Sequence, residues 1–460
     1  MDRVDPKDAI FYLGAKSGRS SDHCLVYGFV DEQAAVAPVH STVVANLTRA
    51  LARVDRIRRR LVEVPATLAY PRWETHSTPA SRFVTAHAPD GRWTETLRRL
   101  AELVEVPIDT TQSAWRADLV DVVTDAPFSD RPVIVVVLRI SHTFVDGQGA
   151  AAIGRSVFGD GTDGADVAPE PGPHRRSPWP AAVHGAVTLP AGVVGYVRAL
   201  VADARRGRHE LPAPPAPPQR APTPLNSPPG ADRSVAIIVR PRPATRLAGV
   251  TVTTVGLTAV SLALQRYLSS TGVPTGLSAS VPVSVPDSVD FAGANRVVTG
   301  TVDLHTDVPD LTARAQLIHR DLHAERARVL DPAELARLAV LESAPAPVLV
   351  AITALGRRVT PQTVAAHTVV TSINRGDAPL RLGDAVAVFS SGFPALTRHF
   401  AVKHGIYTLG STMTIGVVWS PTTVPDGHRH AGLLEQAWDE VIAALTDEGT
   451  PRAPDRPPPI

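Results

Sequence analysis

A single cysteine, Cys24, stands in a chain of 460 residues. That scarcity excludes an intramolecular disulfide and any cysteine-based zinc or iron–sulfur site. No excess of either charge is present: Lys+Arg 46 against Asp+Glu 45 leaves a net charge of +1. Bulk electrostatics therefore give no reason to expect a nucleic acid or an anionic membrane as partner. Lysine itself is nearly missing. Only Lys7, Lys16 and Lys403 stand among the basic residues and the rest are arginine, a bias of GC-rich coding with little chemical meaning. The opening MDRVDPKDAIFYLG has no apolar run of signal-peptide length. No window approaches 18 uninterrupted apolar residues, the longest strong run being Val133 to Leu138, so no membrane-spanning helix is expected. The expectation is a cytoplasmic protein with at most peripheral membrane contact. Against these absences, 44% apolar and 20% charged residues make a folded globular chain.

Proline divides the sequence. Nine of its 43 prolines fall in the window from Leu211 to Gly230, which cannot form helix or central strand and acts as a semi-rigid spacer. With the Gly/Asp-rich stretch from Gly159 to Gly172 it brackets a connector at 161–232, inside which Pro190 to Ala204 has the pattern of a short helix. The connector separates a first half at 1–160 from a second at 233–448. The tail at 449–460, rich in proline, reads as disordered. In the first half, Val43, Val44, Leu47, Leu51, Val54 and Leu61 recur at helical spacing, predicting a helix capped by Ser41 and running to about Val62. Trp93 to Val104 gives a second helix, and Pro132 to Ile140 a strand buried on both faces. In the second half, helices are predicted over 254–268, 311–330 and 432–445, and strands over 277–285, 297–304, 367–373, 385–389 and 411–419. The irregular mixture points to an α+β fold of two halves, each a mixed sheet with flanking helices.

The segment RISHTFVDGQGAAA, from Arg139 to Ala152, carries the chemistry. A buried strand ends, His142 follows, and Asp146-Gly147 makes a tight turn into a small-residue helix. A neutral imidazole fixed there is suited to removing a proton from an alcohol. The plainer alternative is a partly buried histidine that merely satisfies a backbone carbonyl, and the local pattern leaves both open.

That segment resembles the H-H-x-x-x-D-G signature of the chloramphenicol acetyltransferase-like superfamily. Other stretches are similar to its wax ester synthase/diacylglycerol acyltransferase branch: Asp5 to Phe11, Arg58 to Pro65 with Pro71-Arg72-Trp73, Asp109 to Trp115, Thr223 to Arg233, and Ala263 to Leu268. They occur in family order along nearly the whole chain. Four motifs depart from the family pattern. Ser141 replaces the first histidine, Thr253-Thr254 an Asn-Asp pair, Ser113-Ala114 a Pro-Leu, and Thr371 to Gly376 (TSINRG) the run Ser-Asn-Val-Pro-Gly-Pro.

The resemblance implies an acyltransferase of two chloramphenicol acetyltransferase-like halves joined by the Pro-rich crossover, with a tunnel between them. The acyl group would come from a thioester, acyl-CoA or an acyl carrier's phosphopantetheine, and go to the hydroxyl of a small-molecule acceptor. It further implies His142 as general base and Asp146 as a structural residue paired with an arginine. Ser141, Gly147, Thr371, Ser372 and Asn374 are the candidates for oxyanion stabilisation or substrate positioning. Amide formation or ring closure on a carrier-bound intermediate, and a silent scaffold, are the rival readings. Neither a permanently bound cofactor nor a metal is expected. Cys24 falls in an apolar strand and reads as structural. His319 and His323, four apart on a helix, lack an acidic ligand in a zinc-type motif. His428 and His430 read as solvated turn residues, and Arg375-Gly376-Asp377 as a turn.

Overall fold

Strand Val133–Ile140 carries branched apolar side chains at nearly every position, and all eight residues are buried. Each of its faces meets a different core. The computed structural model describes residues 3–33, 37–159, 177–209, 217–243, 246–269, 276–356 and 362–447. The tail at 449–460 and the Pro-rich window at 211–216 lie outside them.

The first half runs α1 (Pro6–Lys16), β1 (His23–Val30), α2 (His40–Ala52), β2 (Arg59–Val62), β3 (Arg72–Thr75), β4 (Val84–Ala86), α3 (Trp93–Glu105), β5 (Trp115–Val123), β6 (Val133–Ile140) and α4 (Gly147–Phe158). After α5 (Trp179–His209), the second half contains β7 (Ser234–Pro241), β8 (Arg246–Leu247), β9 (Val250–Thr251), α6 (Val252–Ser269), β10 (Ser278–Ser284) and β11 (Val297–Asp303). It continues with α7 (Leu311–Val329), α8 (Pro332–Glu342), α9 (Ala346–Gly356), β12 (Thr368–Asn374), β13 (Arg381–Leu382), β14 (Ala385–Gly392), β15 (Val402–Leu409), β16 (Thr412–Trp419) and α10 (Gly427–Asp447). The strands and helices predicted for this half all form, with ends shifted by a few residues.

Two six-stranded sheets result, in the orders β13-β14-β1-β6-β5-β4 and β11-β10-β12-β15-β16-β7. On β6, Ile134, Val136 and Leu138 pack with Leu47 of α2 and Ile153 of α4. The alternate Val133, Val135 and Val137 meet Leu100 of α3 together with Val235, Ile237 and Val418 of the second sheet. The halves are also joined by strand exchange: β14, from the second half of the chain, pairs antiparallel with β1 from Leu25↔Gly392 to Val30↔Val386. The chain then returns to its own sheet as β15. Where the sheets touch there is room only for glycine, since a Cβ on Gly416 would lie 2.1 Å from the Gly392 carbonyl oxygen.

Three expectations are corrected. The helix predicted from Ser41 to about Val62 ends at Ala52, and its N-cap is Val39 without a side-chain bond. Beyond it the chain makes a 3-10 turn, and Arg59–Val62 pairs with Arg72–Thr75. Leu61 continues the helical spacing but packs in a separate cluster with Tyr12 and Trp73. The short helix expected at 190–204 is the 31-residue α5, with Pro190 inside it. Its stretch Trp179–Arg205 is long and apolar enough to cross a membrane by length and composition, which overturns the exclusion of such a helix. The test of an uninterrupted apolar run failed because isolated polar residues interrupt the run without removing its overall apolarity. Outside its first turns, where Ala181 and Ala182 pack on Val64, α5 exposes Val187, Val194 and Val197 among others.

Candidate active site

At the end of β6 the chain turns on Ser141. Its N–H donates to the Ala114 carbonyl at 2.8 Å, its carbonyl accepts from the Phe144 N–H at 2.9 Å, and its hydroxyl accepts from the Thr143 N–H at 3.3 Å. The turn delivers the His142 ring into a stack. Phe11 of α1 lies face to face with it at 3.9 Å and 11°, and the His23 ring is 4.1 Å away. His23 is itself fixed by an Nε2 contact of 2.9 Å to the Val145 carbonyl. From the second half, Asn295 donates through Nδ2 to the His142 carbonyl and to Asp8 Oδ1, both at 2.7 Å. Nδ1 of His142 is buried without a hydrogen-bond partner among the described residues, and the residue lines the cavity. Burial lowers the His142 pKa to about 4, outweighing its own carbonyl, Asn295 and the Asp146 charge, which favour the charged form. The ring is thus neutral and able to accept a proton.

Asp146 faces away from that ring's task. It caps α4 by accepting from the Gly149 N–H at 2.7 Å, and its other oxygen accepts from the Arg296 N–H at 3.2 Å. The resemblance implied an arginine paired with Asp146; the contact present is with the Arg296 main chain. Its guanidinium donates instead to the carbonyls of Phe291, Pro286 and Val289, each at 2.7 Å.

A cavity of about 630 Å³ opens between the halves. His142, Gly147, Thr371 and Ser372 line it; Ser141, Asp146 and Asn374 do not. Ser141 is a buried turn residue. Asn374 is exposed, with Oδ1 accepting from the Gly376 N–H and the Thr408 hydroxyl, both at 3.0 Å. Its amide closes the strand end, which removes it from the positioning candidates. A Cβ on Gly147 would lie 2.7 Å from Ile373 Cδ1, so a larger residue there would have to displace the end of that side chain. Two of the departing motifs meet: the Thr253 and Ser372 hydroxyls are 2.9 Å apart. Thr254, the neighbouring departure, is fully buried and bonds through its hydroxyl to His319 Nδ1 at 3.1 Å.

Sequence reasoning missed several residues of this site. Phe11, His23 and Asn295 fix His142, yet only Phe11 lay in a stretch singled out. Lys403 of β15 also lines the cavity, and burial depresses its pKa to about 7. Its signal was present, as one of three lysines in an arginine-rich chain. Cys24 is a wall residue whose thiol burial pushes up to about 12, leaving it protonated and non-nucleophilic.

The other histidines divide. The rings of His319 and His323 meet edge to face at 4.5 Å, and no group of three or more His, Cys, Asp or Glu suited to a metal occurs among the described residues. His428 is exposed, on the Trp419 ring. His430 corrects the expectation of a solvated turn. It lies inside α10, buried, with Nε2 2.8 Å from Nε2 of the equally buried His404, because the helix begins five residues earlier than its apolar spacing suggested.

Residues 5–255 match the model of the wax ester synthase/diacylglycerol acyltransferase catalytic domain. Among solved structures the chain is similar to the wax ester synthase/diacylglycerol acyltransferase from Marinobacter aquaeolei VT8, with TM-score 0.65, 18% identity and coverage of 97% of this chain and 100% of that one. It is also similar to trichothecene 15-O-acetyltransferase from Fusarium sporotrichioides, with TM-score 0.52, 12% identity and coverage of 96% and 94%. A third likeness is to a variant of the starter condensation domain of rhizomide synthetase in complex with C8-CoA, with TM-score 0.52, 13% identity and coverage of 97% and 96%. No curated protein sequence matches. These structures share the two-lobed α+β fold. With more than half its length matched by the family model and low identity to the solved relatives, the chain belongs to the wax ester synthase/diacylglycerol acyltransferase family as a divergent member, and is an acyltransferase.

Proposed function

We propose that the enzyme moves an acyl group from a thioester to an acceptor hydroxyl, with His142 as the base. The observation that carries this reading is the His142 ring, stacked on Phe11 with its main-chain carbonyl held by Asn295, on a cavity lined from both halves. Nε2 takes the hydroxyl proton as the oxygen bonds to the thioester carbonyl carbon. When the C–S bond breaks, the same nitrogen returns the proton to the leaving thiolate. The histidine ends as it began, and the products are an ester and a free thiol. Thr371, on the face of β12 that lines the cavity, is the hydroxyl available to the tetrahedral oxyanion; such a donor is worth roughly 3–4 kcal/mol. The C8-CoA bound to a structural relative supports coenzyme A as the thiol carrier, and an acyl carrier protein's phosphopantetheine offers the same thioester. The exposed apolar length of α5 suits peripheral attachment to a lipid surface, from the cytoplasmic side.

The test is intact-product mass spectrometry with a panel of acyl-CoA and acyl-carrier thioesters against mixed alcohols. A product heavier than an alcohol by one acyl group, formed with release of one thiol, is the expected result. Thioester bound without product across the panel would contradict O-acyl transfer and favour ring-closing chemistry on a carrier.

A further inference from the structure

The cavity is lined by six lysine, arginine, aspartate and glutamate residues, and four of them have partners. Lys7 pairs with Glu342 at 2.6 Å, Arg328 with Glu325 at 2.7 Å and Glu334 with Arg337 at 2.7 Å. Asp22 accepts from the Ile108 N–H at 2.7 Å and lies in the field of Arg139. The other two are Arg375 and Lys403, and among the described residues neither side chain has a hydrogen-bond or ion-pair partner.

Arg375 is the more telling. The residue is 2% exposed, and Nε and Nη1 are buried with no partner among the described residues. The main chain holds it in place: its N–H donates to the Thr408 carbonyl at 2.8 Å, and Gly376, at φ 107°, turns the chain away. Val369, Thr371 and Ile373 alternate onto one face of β12 and line the cavity, and Arg375, just past the strand end, lines it with them. The guanidinium carbon lies 5.0 Å over the centre of the Tyr407 ring. A desolvated guanidinium without a counter-ion is costly to a fold, and its planar fork matches a carboxylate bidentately. Arg375 also falls within TSINRG, the segment where this chain departs from its family. Lys403 stands at the other end of the same strand pair, opposite Val369, about 20 Å away at strand spacing, and adds no negative charge to the cavity.

We infer that Arg375 is the anchor for a carboxylate on the substrate, so that this enzyme acts on a carboxylate-bearing molecule in place of a neutral long-chain alcohol. The inference rests on the acyl-transfer reading for the identity of that molecule. The carboxylate has two possible carriers. It belongs either to the acceptor, as a hydroxy acid, or to the donor, as the CoA half-thioester of a dicarboxylic acid.

The test is calorimetric binding to the full chain. One arm uses ω-hydroxy acids of 4 to 16 carbons against their methyl esters. The other uses dicarboxylic half-thioesters of CoA against the matching monocarboxylic acyl-CoA. In one arm the acid should bind about 10- to 100-fold tighter than its neutral counterpart, the range for hydrogen bonds to a charged group. Arg375→Gln should reduce that ratio to within about threefold, and Arg375→Lys should keep part of it. Acid and neutral ligand binding alike to the wild-type protein in both arms would overturn the inference, whether or not the variants fold. So would an unchanged ratio in a folded Arg375→Gln protein. Charge-selective binding without any acyl transfer would overturn the reaction but keep the anchor. Ester formation without charge selectivity would do the reverse.

Discussion

His142 is held between opposing influences. Desolvation, with some help from the Lys403 charge, drives the ring to its neutral form, while its own carbonyl, Asn295 and the Asp146 carboxylate favour the imidazolium. Desolvation wins, which places the folded pKa near 4, below the ordinary 6.5. His23, Phe11, Asp146 and Lys403 are the groups around it. The acid limb of kcat/KM with an acyl-CoA donor should therefore fall near pH 4, with activity kept through pH 5–6. A limb at 6.5 would show a solvated base. The linked stability effect has a defined sign. Between pH 6.5 and 4 the unfolded chain binds the proton that the folded chain excludes, so the contribution of His142 to stability is lost as pH falls through that window. The turn that carries His142 and the helix start at Asp146 were legible in the sequence because strand, turn and helix start are contiguous there. Ser141 and Asn374 were over-read for the same reason: short polar residues at strand ends bond to their own turns first. Asn295 was illegible, since its contact with His142 spans 153 positions.

Among the elements, the buried strands and amphipathic helices read correctly where one periodicity served one core. Reading failed where the spacing continued across a turn, as from α2 into Leu61 of β2, or where α5 met a core only in its first turns. Helix α5 is the sharpest case. Apolar residues on a packed helix are buried, yet here Val187 is 74% exposed and Val194 49%. Exposed apolar length of this kind partitions into a lipid interface. In vesicle flotation with neutral phosphatidylcholine, the wild-type chain should float, and Val187→Asp with Val194→Asp should reduce the bound fraction about 10-fold or more. Turnover of soluble substrates should not change, because neither residue lines the cavity. Wild-type protein that stays at the bottom of the gradient would refute membrane contact through α5.

At the scale of the molecule, the two sheets are one construction. β14 crosses into the first sheet, Val235, Ile237 and Val418 share a core with β6, and Asn295 and Arg296 of the second half hold His142 and Asp146 of the first. The α+β class and the presence of two sheets were legible, because mixed helix and strand patterns flank a proline-rich divide. The crossing strand was not, because 385–389 reads as a strand without stating its partner. Nor was the charge of the cavity, which depends on which arginine of many is left without an acid. The two halves meet around one histidine, His142, and its replacement tests the mechanism directly. Steady-state turnover of His142→Ala, with folding checked by circular dichroism and thioester binding by calorimetry, should fall about 10²–10⁴-fold while both controls stay near wild type. Unchanged turnover in a folded, thioester-binding His142→Ala protein would contradict the mechanism.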